Sequence, residues 1–167
     1  MRLVVCDTGP VLHLSEVGQI ELLSLTGTVA VPETVVEELD FHLPGWGLDK
    51  PEWLRLDPLD PPSADQALAW QASGLLHGGE AEPLALALQS KCNWYLTDDA
   101  AARIFASSLG LEVHGTIGVV LWAAAAGILD KSETESVLDR LARESSLWVS
   151  RRVLAEAKAA PDSLCSR

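Results

Sequence analysis

A chain of 167 residues, 48% hydrophobic and 22% charged, has the composition of a single globular domain and excludes general disorder. Its 24 acids against 12 Lys and Arg give a net charge of −12, which excludes the broad basic footprint usual in nucleic-acid binders. Cys6, Cys92 and Cys165 are odd in number and widely spaced, which argues against a disulfide framework or a zinc site and fits a reducing cytoplasm.

No basic stretch precedes an apolar one at the start, so no secretory signal is expected. The longest apolar run, residues 117–129, falls short of the roughly 20 residues a spanning helix needs. It reads as a buried core helix, and the protein is expected to be cytoplasmic, with no membrane association.

Residues 2–6 (RLVVC) form a short apolar run ending at Asp7, the signature of a buried parallel strand. Thr8-Gly9-Pro10 breaks it, and Pro10 suits the first turn of a helix carrying Val11, Leu12 and Leu14. Gly18 ends that helix, and Ile20, Leu22, Leu23 and Leu25 make a second helical piece. Residues 28–31 are a strand stopped by Pro32, and PETVVEEL follows as a helix with acids in its first turn. Residues 41–63, rich in Pro, Gly and Asp and holding Trp46 and Trp53, read as a long ordered loop with a short strand at 53–56.

Residues 64–72 are a helix. His77-Gly78-Gly79 reads as a break, with Glu80 opening a helix through Ser90. Residues 93–97 (NWYLT) are a strand ending at Asp98-Asp99, residues 100–109 a helix closed by Gly110, and residues 111–114 a last strand. Helices are expected at 116–127, 131–143 and 151–160. Strands alternating with helices imply a mostly parallel sheet covered on both faces, one domain over 1–160 with a tail at 161–167. Ligand sites in such sheets lie outside the carboxyl ends of the strands.

The acids fall at those ends. Asp7 directly follows an apolar strand and serves equally as a helix N-cap. Asp98 and Asp99 follow another strand, and one cap needs only one acid; two adjacent like charges favour a bound cation. Glu38 lies beside the stripe of Val35 and Leu39, while Glu80 and Glu82 fall in a first helical turn, where carboxylates help the dipole without further function. Together these acids converge from separate elements, as a divalent ion with oxygen ligands and a phosphodiester substrate require.

The stretches VVCDTGPVLHL, VPETVVEEL, HGGEAEPLALAL, WYLTDDAAARIFASSLGLEV and HGTIGVVLWAAAAGIL, in this order and spacing, resemble the PIN-domain family in its VapC-like toxin branch. SLWVSRRVLAEA is similar to the end of one subgroup. The resemblance implies an α/β fold with a central, mostly parallel sheet of about four to five strands flanked by helices, and Mg²⁺- or Mn²⁺-dependent cleavage of single-stranded RNA. It implies metal ligands at Asp7, Glu38, one acid of the GEAE segment and one of the TDD segment. An acid just before the apolar helix stretch favours Glu82, whereas the Gly-Glu pair of the subgroup points to Glu80; Asp98 and Asp99 stay open in the same way. Thr8 and Thr97 occupy hydroxyl positions that orient a carboxylate or a water.

The resemblance also implies a small antitoxin partner and a homodimer. Arg103, four residues after Asp99, either meets a phosphate or pairs with a carboxylate. His13, His42, His77 and His114 are scattered, and the family's chemistry uses no histidine base. Trp94 and Trp122 read as core, which leaves Trp46 and Trp53 to stack on bases. Residues 33–65 carry nine acids against Lys50 and Arg55, a surface that repels RNA, whereas from residue 113 onward seven acids meet seven bases. That surface motivates a rival reading, a non-catalytic PIN-fold module bound to a partner. A receiver-type domain fits poorly, because only Asp7 stands near the first strand and no lysine closely follows the last.

Overall fold

The computed structural model describes residues 1–164. Five strands, β1 (Leu3–Cys6), β2 (Thr28–Val31), β3 (Leu54–Leu56), β4 (Trp94–Leu96) and β5 (Val113–His114), pair in the order β3-β2-β1-β4-β5. Every pairing is parallel: Val4 stands opposite Val29 on one side and Trp94 on the other, Val29 opposite Leu54, and Leu96 opposite His114. The apolar runs bounded by breakers become strands because both sheet faces are covered.

Alternation along the strands builds two cores. Val4, Cys6, Val29, Val31, Trp94 and Leu96 face one way, onto α1 (Thr8–Glu16), α2 (Glu21–Thr26), α3 (Glu33–His42), α7 (Thr116–Ala125) and α8 (Lys131–Glu144). Val5 and Tyr95 face the other way, onto α4 (Pro61–Ala72), α5 (Gly78–Ser90) and α6 (Ala100–Ser108). The final helix, α9 (Arg151–Leu164), packs on the first of these layers through Ala157. It runs through Pro161, past the end expected at residue 160, while Cys165 lies outside the described residues.

Two helices begin earlier than their sequence patterns. In α4 the start is Pro61, because Asp60 caps the helix by accepting from the Ser63 N–H (2.8 Å) and proline suits the first turn. In α5 the expected break at Gly78-Gly79 is instead the first helical turn. A Cβ at Gly79 would collide with the Glu38 carboxylate, so glycine there makes room rather than ending the helix. Among the described residues no helix is long and apolar enough to cross a membrane.

The chain lays β2 and β3 to one side of β1, then β4 and β5 to the other. The reversal puts a crevice between the carboxyl ends of β1 and β4.

Candidate active site

Asp7 is the first residue past β1, and its N–H donates to Leu96 O of β4 (2.9 Å), which pins it over that crevice. Its Oδ1 accepts from the Thr8 N–H (2.6 Å) and its Oδ2 from the Thr97 hydroxyl (2.8 Å). Thr8 in turn donates its hydroxyl to Glu38 Oε2, in the last turns of α3. The two threonines thus each hold a carboxylate oxygen.

Glu80 reaches the crevice from the first turn of α5, where its Oε2 accepts from the His77 N–H (2.9 Å). Asp99 caps α6 by accepting from the Ala102 N–H (2.7 Å). Asp7, Glu38, Glu80, Asp98 and Asp99 all line one opening of about 420 Å³, with His13, His42 and His77 at its walls. Glu82 does not line it. Its carboxylate accepts from the Thr34 hydroxyl (3.0 Å) and ties α5 to α3, so of the two acids in that segment Glu80 faces the opening.

The two adjacent aspartates differ. Asp98 accepts from the Thr116 N–H (2.7 Å), the Thr116 hydroxyl (2.5 Å) and His13 Nδ1 (2.8 Å), so both its oxygens are taken by protein. Burial alone would push its carboxyl up; donation from His13 and Thr116 outweighs burial and holds it below the ordinary carboxylate range. Asp99 spends one oxygen on its cap and is the less encumbered acid. The His13 contact joins residues 85 apart, and nothing in the local sequence pattern marks it.

Electrostatic strain concentrates at Asp7. Burial pushes its carboxyl up to about 7; Thr97 and Thr8 oppose this, and the Glu80 and Glu38 charges add to it. Below it, the Tyr95 hydroxyl is buried without a hydrogen-bond partner, and its ionisation is pushed well up by burial and by Asp7 and Glu80. A buried group of like charges with few cations nearby is what a bound cation would relieve.

The donor set is hard oxygen from four separate elements, with no thiolate, which matches the preference of Mg²⁺ or Mn²⁺. Among the described residues no three or more acid, histidine or cysteine side chains stand close enough together to hold a metal ion as they are placed. Such an ion would therefore complete its shell with water, as Mg²⁺ commonly does.

Arg103 lies outside this opening, in a neighbouring cavity that shares Asp98 as a wall. Trp46 and Trp53, the expected stacking residues, pack partly buried against the core, and Trp53 Nε1 donates to Glu21 (3.1 Å). Two aromatics stand in water among the described residues, Phe41 on α3 and Trp148 in an irregular segment before α9, each 84% exposed.

The model of the family DUF3368, described as a PIN domain, matches residues 3–161. No curated protein and no solved structure matches the chain significantly.

Proposed function

We propose that this chain, which belongs to the PIN-domain family, is a Mg²⁺- or Mn²⁺-dependent endoribonuclease that cuts single-stranded RNA. PIN domains are in general nucleases that act on nucleic acid with divalent metals, so family membership supports hydrolase chemistry at that level. The observation that supports the finer reading is that Asp7, Glu38, Glu80 and Asp99, from four elements, line one opening over the β1/β4 crevice.

In this reading those four acids hold the metal. A divalent ion bound there supplies Lewis-acid stabilisation of the phosphodiester and lowers the pKa of a water at neutral pH. Thr97 and Thr8 fix the Asp7 and Glu38 carboxylates in place before substrate arrives, and preorganised charge of this kind is the larger part of such catalysis. Asp98, its oxygens filled by Thr116 and His13, acts as the rigid wall that holds α1 and α7 together rather than as a ligand. In-line hydrolysis would leave a 5′-phosphate and a 3′-hydroxyl.

Asp7→Asn is expected to abolish Mn²⁺-dependent cleavage of a single-stranded RNA while the circular dichroism spectrum is kept. Cleavage at the wild-type rate would refute the assignment. The toxin role of the VapC-like branch belongs to the same proposal, with a small antitoxin, a homodimer and a cytoplasmic setting. A companion reading frame of roughly domain-fragment size next to this one, and sedimentation of the isolated chain, test those parts. The acidic surface favours one second reading, a PIN-fold module without chemistry; calorimetry separates the two, since such a module takes up no divalent ion.

A further inference from the structure

The cavity next to the carboxylate opening, about 320 Å³ in volume, is lined by Arg103, His114, Gly115, Trp148 and Val153, and Asp98 forms the wall between the two. We propose that this cavity is a nucleotide subsite for single-stranded nucleic acid, in which Arg103 takes a backbone phosphate and Trp148 stacks on a base. The proposal rests on the reading of the carboxylate opening as a phosphodiester-cleaving site and says where the strand lies when it is cut.

Arg103 is the first argument. Arginine next to a carboxylate ordinarily pairs with it, but both Asp98 oxygens are already taken by Thr116 and His13. Among the described residues Arg103 makes no ion pair, and its side chain is exposed. Gly115 is what lets it stand there: a Cβ at that position would lie 2.8 Å from the guanidinium and 2.7 Å from Asp98 Oδ1. An unpaired guanidinium offers a fork of donors that fits a phosphate.

Trp148 is the second. An indole 84% exposed forgoes the burial its surface would gain, and it stands across the same cavity from the free cation. Every base has a π-face, so an exposed aromatic beside a phosphate-binding cation is the arrangement single strands use.

Charge distribution is the third. Of the nine acids of residues 33–65, Glu38 lines the carboxylate opening, whereas Glu33, Glu37, Asp40, Asp49, Glu52 and Asp57 belong to α3, the loop after it and the end of β3, at one edge of the sheet. The cavity lies at the opposite edge, beside β5, where Arg151 and Arg152 open α9 two and one residues before Val153. A polyanion reaching the carboxylates would be repelled from the first side and accepted on the second. A protein helix is the poorer occupant, because helix-in-groove binding wants a long apolar trough and this cavity is short and polar along much of its wall.

The test is anisotropy of a labelled single-stranded oligoribonucleotide with EDTA present, so that binding is read without cleavage. Arg103→Ala and Trp148→Ala are each expected to weaken binding about tenfold, within the range of one lost stacking or phosphate contact. Both side chains are exposed, and a thermal melt checks that the fold is kept. Trp53→Ala is expected to leave the affinity alone. If the two variants bind RNA like wild type, or if only Trp53→Ala weakens binding, the strand does not use this cavity and the proposal falls. It also falls if Trp148→Ala changes the sedimentation of the chain and not its RNA affinity, since the face would then be a protein contact. Loss of binding in these variants, with no metal-dependent cleavage by wild type, would keep the subsite and overturn the nuclease reading instead.

Discussion

Asp7 carries the largest electrostatic cost of any residue in the opening, and its sign is testable. Its carboxyl rises from 3.8 in the unfolded chain to about 7 in the fold, so the native state holds the proton more tightly. The associated stability is fully present below pH 3.8 and is lost as pH rises through about 7. A shift of that size corresponds to a penalty of up to about 4 kcal/mol at pH 8. In EDTA, Asp7→Asn is therefore expected to be more stable than wild type at pH 8, by ~2 kcal/mol once the imperfect amide contact with Thr97 is allowed for. The advantage should shrink as pH falls, vanish at about pH 5 where the remaining penalty equals the lost contact, and reverse below that, measured by urea denaturation across pH. A variant less stable than wild type at pH 8 would mean that Asp7 is not strained, and the case for a cation at that point would weaken. The inactive protein would thus be the sturdier one without metal.

The elements were largely legible, and the exceptions have physical causes. Strand β1 could be read because RLVVC is an unbroken apolar run between a polar start and a breaker, and β2 and β4 follow the same rule. The start of α5 could not, because glycine's poor helix propensity makes Gly78-Gly79 look like a break, and only the fold brings Glu38 against that turn. The choice between Glu80 and Glu82 was equally closed to the sequence. Two residues on one helix point to different sides, and the rotation is set by how Ala81 and Leu84 bury into the core that Val5 and Tyr95 face. Asp98 and Asp99 are separated only by the long-range donors Thr116 and His13. The Gly79 reading makes a prediction at this scale. Gly79→Ala should change stability by less than about 1 kcal/mol, since alanine favours the helix while Glu38 can swing aside. Swinging aside removes a carboxylate from the opening, so Mn²⁺ affinity by calorimetry should fall at least about tenfold. Unchanged affinity would show that Glu38 is not a ligand.

For the molecule as a whole the question is how a chain of net charge −12 engages a polyanion. An extended basic surface would release many counterions, and the logarithm of affinity would fall steeply with the logarithm of salt, by about 0.7 for each phosphate neutralised on a single strand. Here the cations near the proposed path are few: Arg103 in the cavity, with Arg151 and Arg152 at the start of α9, the last already paired with Glu156. One or two phosphates neutralised gives a slope of about −0.7 to −1.4 in EDTA, far shallower than for proteins that coat the backbone with lysine. Long-range repulsion from the acidic side works in the same direction, because added salt screens it and offsets part of the loss. Titrating RNA binding across monovalent salt reads the slope directly. A value steeper than about −3 would require a basic track that the described residues do not display, and the path past Arg103 would be wrong. A shallow slope that steepens when Mn²⁺ replaces EDTA would instead place the additional phosphate contact at the carboxylates, so that the protein's acidity becomes the means by which its substrate is held.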